Sequence, residues 1–473
     1  RRWLKPRVPR DQLYRLAPRP ARPARLGVLT PWDRVRRVLL SWWLWILVAL
    51  ALGELDQRIF ALAAGAIGFA LYHLAPDFHP AVYALNPAFD ADSAEFRTTL
   101  TGATGMPLIP GNNVAIYNNG DEFYPAMLEA IESASLSVTM EQYIFWDGAV
   151  GRRFAEAFAE KAREGVPVKL LLDAIGSSTI GGEMFDVLAA GGCEVAWFRP
   201  IHWYTLHRAN YRDHRKSLIV DGRIAFTGGS GIADHWLGSA AGPSEWRDVQ
   251  VRVEGPAAQV QQTGFVHNWL VTTGNLLGGH EYFPEPRQAG LISVQTILSS
   301  PSAGAGAAGT MYLIAVQCAR RSIHISNPYF IPDSRLIALL SQACRRGVVI
   351  KLMLAGPHND TWWARQNSVR LYGQLLDAGV EIYEYLPSML HQKTMVVDGA
   401  WATVGTANFD NRSFALSEET NVCFHDPALI EGLDAVFDAD LPRCRRIVRA
   451  DWEKRGVLRR TSEVLASLIE EQM

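Results

Sequence analysis

Two short stretches of this chain carry the same reactive residues at the same spacing. His214-Arg215-Lys216-Ser217-Leu218-Ile219-Val220-Asp221 and His391-Gln392-Lys393-Thr394-Met395-Val396-Val397-Asp398 both read H-x-K-x-x-x-x-D, and 177 residues separate the two histidines. In an apolar run of strand period, His and Lys at i and i+2 project from one face, which sets an imidazole beside an ammonium. That pair suits phosphate chemistry: the imidazole attacks or protonates, and the ammonium supplies fixed positive charge. One copy of so short a motif lies within chance. These two copies also share a following glycine (Gly228, Gly405), an apolar run between Lys and Asp, and an Asp-Gly pair (Asp221-Gly222, Asp398-Gly399) that predicts a hairpin.

The elements that must hold these motifs repeat as well. Phe154 to Arg163 reads as a helix ended by Gly165, and Val168 to Leu172 as a buried strand; their twins are Leu336 to Arg346, Gly347, and Ile350 to Leu354. A second helix and strand follow in both halves, Phe185 to Ala190 with Glu194-Val195, and Tyr372 to Ala378 with Glu381-Ile382. Strands alternating with helices predict an α/β fold of two sandwich lobes, each with a mostly parallel sheet. A pseudo-twofold axis between the lobes would bring both His-Lys strands to one cleft. At 473 residues the chain has room for both lobes and an extra segment. The expected division is 111–299 for the first lobe and 300–444 for the second, joined by the Ser/Gly/Ala-rich stretch Ser299 to Gly309.

The ends of the chain differ from its middle. Residues 1–37 carry twelve Lys or Arg against Asp11 and Asp33, with six prolines, and read as an extended basic arm. Two apolar runs follow, Val38 to Gly53 and Ile59 to Ala75, separated by Glu54, Asp56 and Arg58. They predict a transmembrane helical hairpin over 38–75, with Trp42, Trp43 and Trp45 in an interfacial belt, and a linker over 76–110. A buried core hairpin or a cleaved signal sequence fits less well, because the segment precedes any domain that could bury it and has two runs. The positive-inside rule places the basic arm, and after two crossings the lobes, on the cytoplasmic side. An odd number of further spans ahead of Arg1 would reverse that topology. Residues 445–473 are expected to form a C-terminal amphipathic helix, lying on lipid or, more ordinarily, packed on the second lobe.

Charge and cysteine use narrow the partners. Beyond residue 37 there are 34 basic against 46 acidic residues, a balance of −12, which argues against nucleic acid as the partner of the lobes. The basic arm suits anionic lipid headgroups instead. Five cysteines without a C-x-x-C pair favour free thiols. His202, His207, His214 and His235 have no acidic or cysteine partner at ligand spacing, so neither a metal nor another cofactor is expected.

Two imidazoles and two ammonium groups in one cleft match a two-step displacement at phosphorus through a covalent phosphohistidine. Lys216 and Lys393 would clamp the nonbridging oxygens, with Thr406 and Asn408 as further donors. Each histidine also needs its second ring nitrogen tethered, and Asp248 and Glu419 are the candidate carboxylates. Asp221 and Asp398 complete the motifs; at predicted turns, their expected work is holding the hairpin and neighbouring backbone.

The doubled H-x-K-x-x-x-x-D, with Asn327-Pro328-Tyr329-Phe330-Ile331-Pro332-Asp333 and Gly405-Thr406-Ala407-Asn408-Phe409-Asp410-Asn411-Arg412-Ser413-Phe414, resembles the phospholipase D superfamily, most closely its bacterial cardiolipin synthase branch. The resemblance covers about residue 38 to the C-terminus. It implies two phospholipase D-like lobes, His214 as nucleophile and His391 as general acid/base. It also implies transfer of a phosphatidyl group from one phosphatidylglycerol to another, giving cardiolipin and glycerol at a bacterial cytoplasmic membrane. Hydrolytic phospholipase D activity, or transfer from another donor lipid, uses the same covalent intermediate and stays open. One departure is that Gly231 stands where the family pattern has Asn, as Asn408 does in the second half; Gly229 and Ser230 are the substitute donors expected in the first.

Overall fold

The computed structural model describes residues 42–51, 55–74, 89–201, 210–301 and 306–467. Buried apolar runs supply the strands of the first half: β1 (Leu108–Asn118), β2 (Val138–Gln142), β3 (Val168–Asp173), β4 (Glu194–Phe198), β5 (Arg212–Asp213), β6 (Lys216–Val220), β7 (Ile224–Gly228) and β8 (Val249–Glu254). The second half contributes β9 (Ile292–Ser299), β10 (Ser322–Asn327), β11 (Phe330–Ile331), β12 (Val349–Ala355), β13 (Glu381–Tyr385), β14 (Thr394–Val397), β15 (Trp401–Gly405), β16 (Phe409–Asp410), β17 (Ser417–Phe424) and β18 (Cys444–Ile447).

One sheet path runs β18-β13-β12-β10-β14-β15-β17-β9-β1-β8-β7-β6-β2-β3-β4. Outward from the antiparallel seam between β9 and β1, the arms β9-β17-β15-β14-β10-β12-β13 and β1-β8-β7-β6-β2-β3-β4 place equivalent elements in equivalent positions. That equivalence is the pseudo-twofold, and it assigns β9 to the second lobe, although the sequence division leaves Ile292–Ser299 in the first. Along this path only β2-β3-β4 and β10-β12-β13 are parallel; off it, β5 pairs with β17 and β11 with β16, also in parallel. The Asp-Gly turns fold β6 onto β7 and β14 onto β15 as antiparallel hairpins, so each lobe has a mixed sheet and not the mostly parallel one expected.

Helices cover both faces. Asn119–Glu132, Ala149–Arg163 and Gly182–Gly191 bury Phe123, Phe154, Phe158 and Leu188 in one first-lobe core, while Ala258–Thr273 buries Phe265 and Trp269 in another. In the second lobe, Ala307–Cys318, Ser334–Arg345 and Trp362–Asp377 share a core that Ala94–Thr104 also enters. This last helix, capped by Ser93, lies in the stretch expected to be a linker. Its Phe96 and Leu100 are fully buried, with Phe96 edge-on to Trp401 at 5.9 Å. Burying two such side chains contributes about 3–6 kcal/mol, so 94–104 is an integral part of the second lobe although it precedes the first in sequence.

The two ends depart from expectation in different ways. After Cys444 the chain first adds β18 to the sheet edge, then forms the helices Arg449–Glu453 and Val457–Ala466. Trp452 donates its indole N–H to the Val369 carbonyl at 2.9 Å, and Asn367 donates to the Ala466 carbonyl at 2.9 Å, so the tail packs on the helix Trp362–Asp377. Near the other end, Trp42–Ala51 and Leu55–Leu74 pack against each other. The first has ten residues and reaches only about 15 Å at the α-helical rise, roughly half a hydrocarbon core. Among the described residues no helix is long and apolar enough to cross a membrane, so the hairpin expected over 38–75 is not shown. The basic arm 1–37 lies outside the described residues.

Asp221 and Asp398 sit at the hairpin turns in the left-handed region, with φ of 54° and 56°, a conformation that Asp tolerates better than most side chains. The Asp221 carboxylate accepts the backbone N–H groups of Ser135, Leu136 and Ser137 at 3.0, 2.7 and 3.1 Å. Asp398 does the same for Arg320, Arg321 and Ser322 at 2.8, 2.7 and 2.9 Å. Each motif aspartate thus staples its hairpin to the chain entering the neighbouring strand, β2 or β10, at the end of the hairpin away from His and Lys. Replacing Asp398 by Ala strands three N–H groups and is expected to lower unfolding free energy by about 2–4 kcal/mol in urea denaturation, while protein that remains folded keeps its turnover.

Candidate active site

His214 and His391 occupy equivalent positions just ahead of β6 and β14, two residues before Lys216 and three before Thr394. Their backbones are already tied to the opposite lobe. The His214 N–H donates to the Glu418 carbonyl at 3.0 Å, and the His391 N–H to the Arg247 carbonyl at 2.8 Å. The side chains follow the same exchange. His214 Nδ1 lies 3.0 and 3.1 Å from the two carboxylate oxygens of Glu419 on β17, and His391 Nδ1 lies 2.9 Å from Asp248 Oδ2 just ahead of β8. Both carboxylates named from sequence are therefore used, each by the histidine of the other lobe.

Side chains beside each pair complete its orientation. Thr406 donates its hydroxyl to Glu419 and accepts the Thr420 N–H at 2.9 Å, while Trp236 donates its indole N–H to Asp248 at 2.9 Å. The residues between His and Lys also brace the seam. The buried Arg215 guanidinium donates to Glu418 at 2.9 Å and to the carbonyls of Gly264 and Ser299 at 3.1 and 3.3 Å. Glycine is required where strands touch: a Cβ on Gly228 or Gly405 would collide with the Val249 or Thr420 carbonyl, and one on Gly229 with Asp248 and the His391 carbonyl.

The lysines sit against the imidazoles as their strand spacing demands. Lys393 Nζ is 3.1 Å from both ring nitrogens of His391, and Lys216 donates to the His214 carbonyl at 3.0 Å. Burial pushes His214 down to about 4, against the pull of Glu419, and pushes His391 down to about 4 with the help of Lys393. Burial also lowers Lys216 to about 8 and Lys393 to about 7. The cations sense one another across the lobes, Lys393 lowering His214 and Lys216 lowering Lys393, which joins the two half-sites electrostatically. Burial works to raise Asp248 and Glu419, but the facing imidazoles and lysines outweigh it and hold both carboxyls below their ordinary range. At neutral pH each imidazole is then neutral, with Nδ1–H donated to a carboxylate; this leaves the Nε2 lone pair of His214 to act as a nucleophile, while that of His391 faces the Lys393 ammonium.

The expected donors differ in how they are engaged. The Thr406 hydroxyl donates to Glu419 and so is not arranged as an oxyanion donor, whereas the buried Ser230 hydroxyl accepts from Gln250 Nε2 at 2.5 Å and keeps its own O–H. Asn408 keeps a buried carboxamide oxygen with no hydrogen-bond partner, and its N–H donates to Ser413 at 3.0 Å. At Gly231 a Cβ would press on Ile144, which accounts physically for the departure from Asn. Sequence reading missed the aromatic walls: Tyr143 lies edge-on to His214 at 5.1 Å, while Trp236, Trp246 and Tyr329 surround His391 at 5.4, 5.3 and 6.4 Å. It also missed Tyr124 and Tyr312, whose hydroxyls donate to the Gly231 and Ala407 carbonyls at 2.8 and 3.1 Å and fix the loops after both motifs. Their matched positions in the helices starting at Asn119 and Ala307 were a usable signal.

Two histidine-lysine strands, each imidazole backed by a carboxylate of the opposite lobe, define a two-lobed transferase or hydrolase of phosphodiesters. The family model described as "Cardiolipin synthase, PLD-like domain" matches residues 127–239 and 312–441. The chain is 33% identical over 366 residues to the cardiolipin synthase of Clostridium perfringens (strain SM101 / Type A), covering 76% of each chain. It is 32% identical over 363 residues to the major cardiolipin synthase ClsA of Bacillus subtilis (strain 168), covering 76% of this chain and 75% of that one. The solved structure of phosphatidylserine synthase from Haemophilus influenzae Rd KW20 shares the fold, with a TM-score of 0.61 and 12% identity over 80% of this chain and 100% of that one. This chain belongs to the phospholipase D-like cardiolipin synthase family.

Exchanged orientation makes the carboxylates testable. Glu419→Gln and Asp248→Asn keep the shape but lose the acceptor that fixes the imidazole tautomer, and each is expected to lower kcat by about 10²–10⁴-fold in steady-state assays. The free enzyme needs neutral His214 and cationic lysines, so kcat/KM should rise through about pH 4 and fall through about pH 7–8. A profile still flat at pH 9 would remove the lysines from substrate binding.

Proposed function

We propose that this protein is a phosphatidyltransferase that makes cardiolipin and glycerol from two molecules of phosphatidylglycerol. The observation that carries the proposal is the exchange of carboxylates, which gives the site two oriented imidazoles with a lysine beside each. In the first step His214 Nε2 forms a bond to phosphorus, the bond from phosphorus to the glycerol oxygen breaks, and that oxygen takes a proton relayed by His391 from the Lys393 ammonium. The Lys393 ammonium, 3.1 Å from the His391 ring nitrogens and with its pKa brought down to about 7, is a proton source for recharging the imidazole. In the second step the hydroxyl of another phosphatidylglycerol gives its proton to His391, its oxygen attacks phosphorus, and the bond to His214 breaks. Lys216 balances charge on the nonbridging oxygens throughout, and Lys393 does so while it holds its proton.

Substrates that live in a bilayer call for an enzyme held at one. Leu55, Ile59, Phe60 and Leu62 leave a run of apolar side chains exposed on the helix Leu55–Leu74, a surface that suits lipid better than water. Together with the tryptophans of Trp42–Ala51 and the basic arm, this supports attachment of the N-terminal region to a bacterial cytoplasmic membrane, with both lobes on the cytoplasmic side.

Product analysis tests the reaction. Purified protein incubated with phosphatidylglycerol vesicles should yield cardiolipin and glycerol in equal amounts by mass spectrometry, whereas phosphatidic acid as the sole lipid product would establish a hydrolase. His214→Ala should abolish both turnover and the phosphoenzyme. His391→Ala should lower turnover by at least about 10³-fold and let the phosphoenzyme accumulate.

A further inference from the structure

Two elements distant in sequence leave large apolar side chains exposed near one end of the helix Trp362–Asp377. Trp362 and Trp363 begin the helix Trp362–Asp377 with their rings edge to face at 4.8 Å, yet they stay 50% and 46% exposed. The C-terminal helix Val457–Ala466 lies along the same helix, held by Asn367 to the Ala466 carbonyl at 2.9 Å and by Ser462 to Gln366 at 3.3 Å. These contacts bring Val464 and Leu465, 46% and 53% exposed, to the end of the helix that carries the two tryptophans. Four large apolar side chains open to solvent in one place are unusual in a surface with no partner.

The patch is continuous with the catalytic site. Asp360, two residues before Trp362, accepts a hydrogen bond from the Tyr329 hydroxyl, and the Tyr329 ring is 6.4 Å from that of His391. The Asp360 carboxylate also acts electrostatically on both His391 and Lys393. Across the cleft, Ile175 is exposed next to Gly176, which is packed against the Tyr143 ring that faces His214. Each lobe therefore has exposed apolar side chains joined by a short chain of contacts to its histidine.

We propose that Trp362, Trp363, Val464 and Leu465 form the surface by which the cleft seats on a phospholipid bilayer. The inference rests on lipid substrates, as in the proposed function, and adds the face that meets them. Acyl chains attached to a phosphate between His214 and His391 must leave through the mouth of the cleft, and an apolar rim lets them pass into the bilayer without crossing water. Indole rings suit that boundary, having an apolar body and a polar N–H. Charge cannot be the main attraction, because residues beyond 37 carry a balance of −12.

Two variants of the full-length protein, Trp362→Ser/Trp363→Ser and Val464→Ser/Leu465→Ser, test the proposal with two readouts. On long-chain phosphatidylglycerol vesicles each should lose about tenfold in kcat/KM, equivalent to about 1.4 kcal/mol, and on dihexanoyl phosphatidylglycerol kept monomeric each should stay within about twofold of wild type. Independently of turnover, vesicles with brominated acyl chains should quench more of the tryptophan emission of wild type than of Trp362→Ser/Trp363→Ser. Unchanged vesicle kinetics, equal losses on both substrates, or identical quenching would overturn the bilayer-seating role. Wild type that forms no cardiolipin from either substrate but shows the quenching difference would sink the proposed reaction and leave this surface standing.

Discussion

Two imidazole-carboxylate pairs that cross the seam between the lobes hold this site together. His214 depends on Glu419 and His391 on Asp248, so each histidine takes its carboxylate from the other half of the chain. The exchange extends through the backbone, where His214 and His391 donate to carbonyls of the opposite lobe. It reaches the neighbouring residues too, since Arg215 binds Glu418 and Arg247 binds Asp440 at 2.8 Å. Removing one partner of such a buried pair leaves a polar group without its compensating bond, at a cost of several kcal/mol. Chemistry and lobe association therefore rest on the same contacts.

The two half-sites are similar without being equal. Glu419 is steadied by a threonine hydroxyl and Asp248 by an indole N–H. His391 stands among Trp236, Trp246 and Tyr329, whereas His214 meets Tyr143. The shorter acid goes with Gly229, where any Cβ would strike the carboxylate, and the longer acid goes with Thr406. Division of labour between nucleophile and proton carrier has a physical basis in these differences, which symmetry of the motifs alone cannot supply.

Much of this was legible in the chain because it is local. The i, i+2 spacing of His and Lys, the Asp-Gly turns and the glycines after each strand are consequences of strand geometry, and the repeated helix-strand order fixed the α/β class. What escaped depends on contacts between distant residues. Phe96 looks like part of a linker until the Trp401 ring is beside it, and β9 looks like the end of one lobe until β1 and β17 pair with it. Thr406 has the right chemistry for binding an oxyanion, and only the position of Glu419 reveals that its hydroxyl is already engaged. The sheets proved mixed because the hairpins, themselves readable, add antiparallel strands beside the parallel ones.

The β1 to β9 seam and the crossed carboxylates also bear on ancestry. A single lobe of this design holds a histidine and a lysine but lacks the acid that orients them, so a one-lobe precursor could complete its pocket only as a homodimer. Fusion of two copies into one polypeptide would make that dimer permanent and release each copy from having to serve both roles. Gly231 opposite Asn408, and Asp248 opposite Glu419, are the kind of divergence such a release permits.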